Sequence, residues 1–247
     1  MPTKIFAHRG ASAYAPENTL PVFQLAIDQG ADGIELDVHL TADLQPVVLH
    51  DSALMRTAGV SGVVEDFTLD ELRTFDFGYA TKFGSLFAGT QIPTLRQVFD
   101  LLAPTDLELN IELKEVTRTR AKIYLETLVR ETQNSGMAER VCFSSFDHLA
   151  LVELLSLFPS AKIAPLYSET MLHPWDYAKS MNADGIHPAY KQLFVFPEYL
   201  TLCHSHGITV RTWTVDDAET ISALVHMGVD AIITNKPDIA KQHNIAI

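Results

Sequence analysis

Short apolar runs alternate with helical periodicity along nearly the whole 247-residue chain. Strand-like runs fall at about 4–8, 33–40, 46–50, 107–114, 140–146, 162–167, 184–188, 208–215 and 230–234. Between most of them lie amphipathic segments with apolar residues at i, i+3, i+4 and i+7. Leu151, Leu154, Leu155 and Phe158 form one such stripe, and Ile221, Leu224 and Val225 begin another. Thr68 with Glu71 and Thr94 with Gln97 have the spacing of capping boxes and mark helix starts. Strands that alternate with helices predict a parallel sheet.

Nine strands is one more than an eightfold barrel holds, and loop length identifies the extra one. Only Thr41 to Gln45 separates the runs at 33–40 and 46–50, too few residues for a crossover helix, so these two strands form an antiparallel hairpin. Eight βα units remain, which predicts an α/β (β/α)8 TIM barrel with a hairpin and an insertion after the second barrel strand. A doubly wound open sheet is the runner-up, and the first strand lacks the Gly-x-Gly-x-x-Gly that would favour it. Residues 52–93 break the rhythm with five glycines and six aromatics and read as an insertion on the face where loops build sites. The aromatics are expected to make a small core of their own. No other composition shift divides the chain, so 1–247 reads as one domain.

Composition restricts the partners. Lys and Arg number 18 against 31 Asp and Glu, a net charge of −13, which argues against nucleic acid and against stable attachment to anionic lipid. A local cationic site for a small anion remains compatible with that average. No apolar stretch reaches transmembrane length, and the first residues lack a signal peptide's apolar core. Cys142 and Cys203 lie far apart and outside any Cys-x-x-Cys pair, as expected of buried thiols in a reducing compartment. The expected location is the cytoplasm; the sequence carries no sign of oligomeric state.

Strand alternation sorts the chemistry. Ile34, Leu36 and Val38 share one face, toward helices, and Glu35, Asp37 and His39 share the other. In the run 107–114, the leucines and isoleucine point one way and Glu108, Asn110, Glu112 and Lys114 the other. Barrel interiors are usually filled by branched apolar side chains. Glu35, Asp37 and Glu112 converging there would repel one another without a positive charge between them, and a divalent cation is the simplest answer. An all-carboxylate donor set favours Mg²⁺ or Ca²⁺ over zinc. His39 is expected in the pocket or at its rim.

His8 ends the first strand, where barrel catalytic groups sit. His50, counted back across the hairpin, lies opposite about Leu36 and so level with Glu35 and Asp37. Two imidazoles beside a metal suit general acid–base work. Arg9 and Lys114 add two positive charges at the same mouth, which suits an anionic phosphoryl centre. His148, His204, His206, His226 and His243 read as surface residues on helices, and His187 as a candidate for the pocket wall. Arg211 and Glu108 point inward below the site, where each needs a partner and the two are placed to meet.

These residues resemble the glycerophosphodiester phosphodiesterase family across essentially the whole chain. The pieces are His8-Arg9-Gly10, Pro16-Glu17-Asn18-Thr19, Glu35-Leu36-Asp37-Val38, His50-Asp51, Glu112-Leu113-Lys114 and Trp213-Thr214-Val215, with 52–93 similar to the family's inserted region. The resemblance implies a barrel that hydrolyses a small-molecule glycerophosphodiester to glycerol 3-phosphate and an alcohol. It implies one divalent cation on Glu35, Asp37 and Glu112, His8 and His50 as the acid–base pair, Arg9 and Lys114 on the phosphate, and Trp213 in the pocket wall. Asn235 stands where the family often has Asp, and is expected to be a peripheral contact. The nearest alternative is a lysophospholipase D or phosphoinositide phospholipase of the same superfamily, which would use the insertion aromatics as an apolar entrance. A sugar isomerase of barrel type leaves the two histidines and Arg9 without a task, and a phosphate-binding protein does not need acid–base groups.

Overall fold

The computed structural model describes residues 2–114, 118–196 and 198–244. The two ends of the expected 1–247 unit, Met1 and 245–247, lie outside them. Nine strands form one sheet: β1 Lys4–His8, β2 Gly33–Leu40, β3 Pro46–Val48, β4 Glu108–Leu113, β5 Val141–Ser145, β6 Lys162–Tyr167, β7 Gly185–Pro188, β8 Thr209–Thr212 and β9 Ala231–Thr234. Eight pair in parallel in the order β1-β9-β8-β7-β6-β5-β4-β2, and β1 closes the ring on β2. Helices follow the strands, so the fold is the expected (β/α)8 barrel.

β3 is the expected antiparallel arm. It pairs Val38 with Val48 and Leu40 with Pro46, on the edge of β2 that β1 leaves free beyond Glu35. Continuing that register, the Leu49 amide donates to the Asp37 carbonyl at 3.0 Å, which puts His50 level with Leu36. Several strands stop one to three residues short of the apolar runs. β8 ends at Thr212, and Trp213 already belongs to the loop that shapes the mouth.

Ile34, Leu36 and Val38 are fully buried in the shell with Val22, Phe23, Val98, Phe99 and Leu102 from the helices Leu20–Asp28 and Leu95–Leu102. Each large apolar side chain buried there contributes roughly 2 kcal/mol. Thr68 and Thr94 both close the expected capping boxes. At the opposite end of the barrel from the mouth, Arg211 donates to Glu108 Oε2 at 3.3 Å and lies 4.9 Å from the Phe6 ring centroid, while Lys4 takes the other Glu108 oxygen. The expected partnership between Arg211 and Glu108 is present.

The segment 52–93 folds into short helices, Met55–Ala58, Leu69–Leu72 and Ala80–Phe83. Leu54, Val64, Leu72, Phe77 and Ile92 pack with Val47 and Leu49 of the hairpin into a second core, flanked by Phe67 and Phe75. None of its six aromatics is among the exposed large apolar residues. No helix among the described residues is long and apolar enough to cross a membrane.

Candidate active site

The mouth of the barrel collects what the sequence assigned to it. A cavity of about 260 Å³ is lined by His8, Arg9, Glu35, His50, Glu112 and Lys114, together with Phe146, Leu166, Trp213 and Ile233. The register pairs Asp37 with Glu112 across neighbouring strands and places Glu35 beside His8, two residues back along β2 on the same face. Glu35, Asp37 and Glu112 each offer an oxygen, all within 4.8 Å of one another. Asp37 is fully buried.

Charge balance in this cluster is incomplete. Lys114 Nζ lies 2.7 Å from Asp37 Oδ1 and 2.5 Å from Glu112 Oε1, and Arg9 Nε lies 3.4 Å from Asp37 Oδ2. Burial opposes the charge on Asp37, but Lys114 and Arg9 outweigh it and hold that carboxyl below the ordinary range. The other two are not so well served. Burial and the neighbouring carboxylates raise Glu35 well above its usual value, and burial with Asp37 pushes Glu112 up to about 7. Two cations facing three buried acids leave room for more positive charge, and an all-oxygen donor set fits a hard divalent cation.

Gly10 explains the first motif. Its φ is +84°, and a Cβ there would fall 2.5 Å from Val22 Cγ1, so only glycine lets the chain turn after His8 and Arg9. Arg9 and Asn18 hold left-handed conformations at φ 55° and 58°. Non-glycine residues there typically cost about 1–3 kcal/mol, and such strain concentrates at functional sites. The Asn18 side-chain amide donates to Asp37 Oδ2 at 2.8 Å, and the Arg9 amide to Glu35 Oε2 at 3.1 Å, so this turn orients two of the three acids. Tyr124 holds Lys114 in place: its hydroxyl donates to the Val38 carbonyl at 2.8 Å and accepts from the Lys114 amide at 3.2 Å.

Both histidines are held the same way round. His8 Nδ1 donates to Asn235 Oδ1 at 2.7 Å, and His50 Nδ1 to Asp51 Oδ1 at 2.6 Å. Nε2 is thereby the free atom of each neutral ring. His8 Nε2 lies 3.9 Å from Glu35 Oε2. Burial and the Arg9 charge lower His8 to about 4, and burial lowers His50, so both rings are neutral near pH 7.

Trp213 lies where expected. Its Nε1 donates to the His187 carbonyl at 2.7 Å, and its ring meets Phe146 edge-on with centroids 5.5 Å apart. His39 is buried beside the mouth, 3.1 Å from the His50 carbonyl. Three expectations need correction. His187 does not line the cavity but is buried inside the barrel. His148 is half-buried, its ring bonded to Tyr177 and the Leu166 carbonyl. Asn235 is no peripheral contact: it holds His8, and Asp216 holds its amide nitrogen at 2.6 Å. Asn18 and Asp51 stood in motifs without an assigned task; Asp216 carried no local signal.

Fold and site together define a barrel enzyme in which two oriented imidazoles face a carboxylate cluster. The chain matches the glycerophosphoryl diester phosphodiesterase family over residues 8–239. It is 41% identical over 238 residues to a glycerophosphodiester phosphodiesterase of Caldanaerobacter subterraneus, covering 96% of each chain. It is 36% identical to another from Bacillus altitudinis, again over 96% of each. A solved phosphodiesterase of Oleispira antarctica, in complex with the product sn-glycerol-3-phosphate, superposes with a TM-score of 0.90 at 28% identity, over 98% of this chain and 96% of that one. The chain belongs to the glycerophosphoryl diester phosphodiesterase family and is a phosphodiesterase of the hydrolase class.

Proposed function

We propose that this chain hydrolyses water-soluble glycerophosphodiesters to glycerol 3-phosphate and an alcohol, using a divalent cation and the histidine pair. The observation that carries the reading is the matched orientation of His8 and His50, each with Nδ1 tied to an acceptor and Nε2 free at one cavity. A neutral ring can take a proton at Nε2 from the attacking oxygen, and the other ring, once it has taken up a proton at Nε2 from solvent, can deliver that proton to the departing alkoxide. Glu35, Asp37 and Glu112 would hold Mg²⁺ or Ca²⁺. Bound there, such a cation neutralises and polarises the phosphoryl oxygens. Arg9 and Lys114 bind and orient the same oxygens, and Trp213 with Phe146 excludes water from one wall. The product named for the Oleispira relative, sn-glycerol-3-phosphate, supports this choice of substrate.

The insertion supports small diesters over lipids, since its six aromatics are buried or half-buried and its exposed large apolar side chains are Met55 and Leu86. Cys142 and Cys203, buried and unpaired, suit the cytoplasmic location that belongs to this proposal. A coupled assay for glycerol 3-phosphate released from glycerophosphocholine, with and without EDTA, tests the reading. Metal-dependent release supports it, and no release at any metal concentration refutes it.

A further inference from the structure

One side chain of the segment 52–93 reaches two members of the site without lining the cavity. Arg56, on the short helix Met55–Ala58, donates from Nε to Asp51 Oδ2 at 2.5 Å. Its NH1 and NH2 donate to Glu17 Oε2 and Oε1, each at 2.8 Å, and NH1 also reaches the Tyr79 hydroxyl at 3.3 Å. Each of these carboxylates also touches a residue of the site. Asp51 Oδ1 accepts from His50 Nδ1 at 2.6 Å, and Glu17 Oε1 accepts from Arg9 NH1 at 2.9 Å.

The planar guanidinium is what makes this possible. Its fork meets Glu17 with two parallel bonds while Nε remains for a second carboxylate, a division no lysine can match. The Glu17 side chain is only 10% exposed, so its charge has little water to turn to. Without Arg56 it would close on Arg9 with both oxygens and draw that guanidinium from its position beside Asp37. Asp51, released from Oδ2, would lose its fixed rotamer, and His50 would lose the acceptor that keeps its proton on Nδ1.

We infer that Arg56 is a positioning residue that sets His50 through Asp51 and Arg9 through Glu17, so that the inserted segment aligns a proton-transfer group and a phosphate-binding group at once. The inference rests on the roles proposed above for His50 and Arg9. It gives the insertion a task in the chemistry that packing alone would not require.

The test is a set of variants of the full chain assayed with glycerophosphocholine: Arg56→Gln, Arg56→Lys, Asp51→Asn, Glu17→Gln and the double variant Arg56→Gln/Asp51→Asn. Arg56→Gln should lower kcat about tenfold or more and raise KM several-fold. Asp51→Asn should reproduce the loss in kcat alone, and Glu17→Gln the rise in KM alone. In the double variant kcat should fall no further than in the worse single one, because both changes break the same chain. Arg56→Lys keeps the charge and guards against a failure to fold; it should restore one effect but not both. Unchanged kcat and KM in a folded Arg56 variant, or kcat losses that multiply in the double variant, would overturn the inference. Wild-type enzyme that releases no glycerol 3-phosphate would count against the proposed function instead. The positioning is then read directly from the ¹⁵N NMR signals of His50, which should report a proton on Nδ1 in the wild type and a mixture of tautomers in Arg56→Gln. Identical tautomers in both would contradict it.

Discussion

His8 Nδ1 and Asn235 Oδ1 lie 2.7 Å apart, joining the end of the first barrel strand to the residue just past the last. The orientation of Asn235 is not free, because Asp216 accepts from its Nδ2 at 2.6 Å. The amide oxygen therefore faces His8 and can only accept, which fixes the imidazole proton on Nδ1. Asn235→Leu should lower kcat about 10- to 100-fold, the usual scale for losing such an orienting partner, with little change in KM. Steady-state kinetics on glycerophosphocholine check this, and an unchanged kcat would leave the tautomer without consequence.

Removing either ring should cost more. General acid–base groups contribute about a hundred- to ten-thousand-fold each, so His8→Ala and His50→Ala should each lose at least that lower bound in kcat. A p-nitrophenol leaving group needs no protonation and should rescue only the variant that lacks the acid. Rescue of both variants or of neither would contradict the division of labour.

The three acids make a prediction about stability. In the metal-free protein Glu112 is raised to about 7, so the folded state holds a proton that the unfolded chain gives up at lower pH. The stability tied to that proton is complete below the unfolded carboxyl pKa and is lost as pH rises through 7. Glu112→Gln should therefore melt higher than wild type without metal at pH 8, and the gain should shrink toward pH 4.5. The same variant should bind Mg²⁺ or Ca²⁺ more weakly. Scanning calorimetry in EDTA checks the first part and calorimetric titration the second.

The helix-facing and cavity-facing sets of β2 and β4 were readable because a two-residue period leaves no third choice. The five-residue gap before β3 was readable because no helix fits it, and that placed His50. What escaped reading depends on the closure of the ring. Asn235 meets His8 across 227 residues of sequence, and Asp216 meets Asn235 between two loops, with no spacing to announce either. His187 was misplaced for a related reason: alternation gives a side chain's face but not its depth along the barrel.

That depth has a measurable effect. His187 is 1% exposed, and its Nδ1 has no hydrogen-bond partner among the described residues. Burial, reinforced by Arg211, holds its pKa well below 6.5. Below pH 6.5 the unfolded chain takes up a proton that the folded one refuses, so this residue erodes stability as pH falls through that value. His187→Leu should flatten the dependence of the urea midpoint on pH between 6.5 and 4.5. An unaltered slope would mean that His187 already shares its proton in the fold.

Substrate choice follows from which groups face the ligand. In the proposed binding mode Arg9, Lys114 and the acid cluster would address the phosphate and not the departing alcohol. kcat/KM should thus differ modestly between glycerophosphocholine and glycerophosphoethanolamine and be far lower for lysophosphatidylcholine. Equal turnover of the lysolipid would favour the phospholipase alternative.

The central claim is metal-dependent hydrolysis of a glycerophosphodiester at the Glu35–Asp37–Glu112 cluster. ³¹P NMR of glycerophosphocholine with the purified enzyme tests it most directly, first in EDTA and then with Mg²⁺ or Ca²⁺ restored. The diester signal should persist in EDTA and convert to that of glycerol 3-phosphate once metal is present. Conversion that proceeds equally in EDTA, or a diester that stays intact with either metal, would contradict the account.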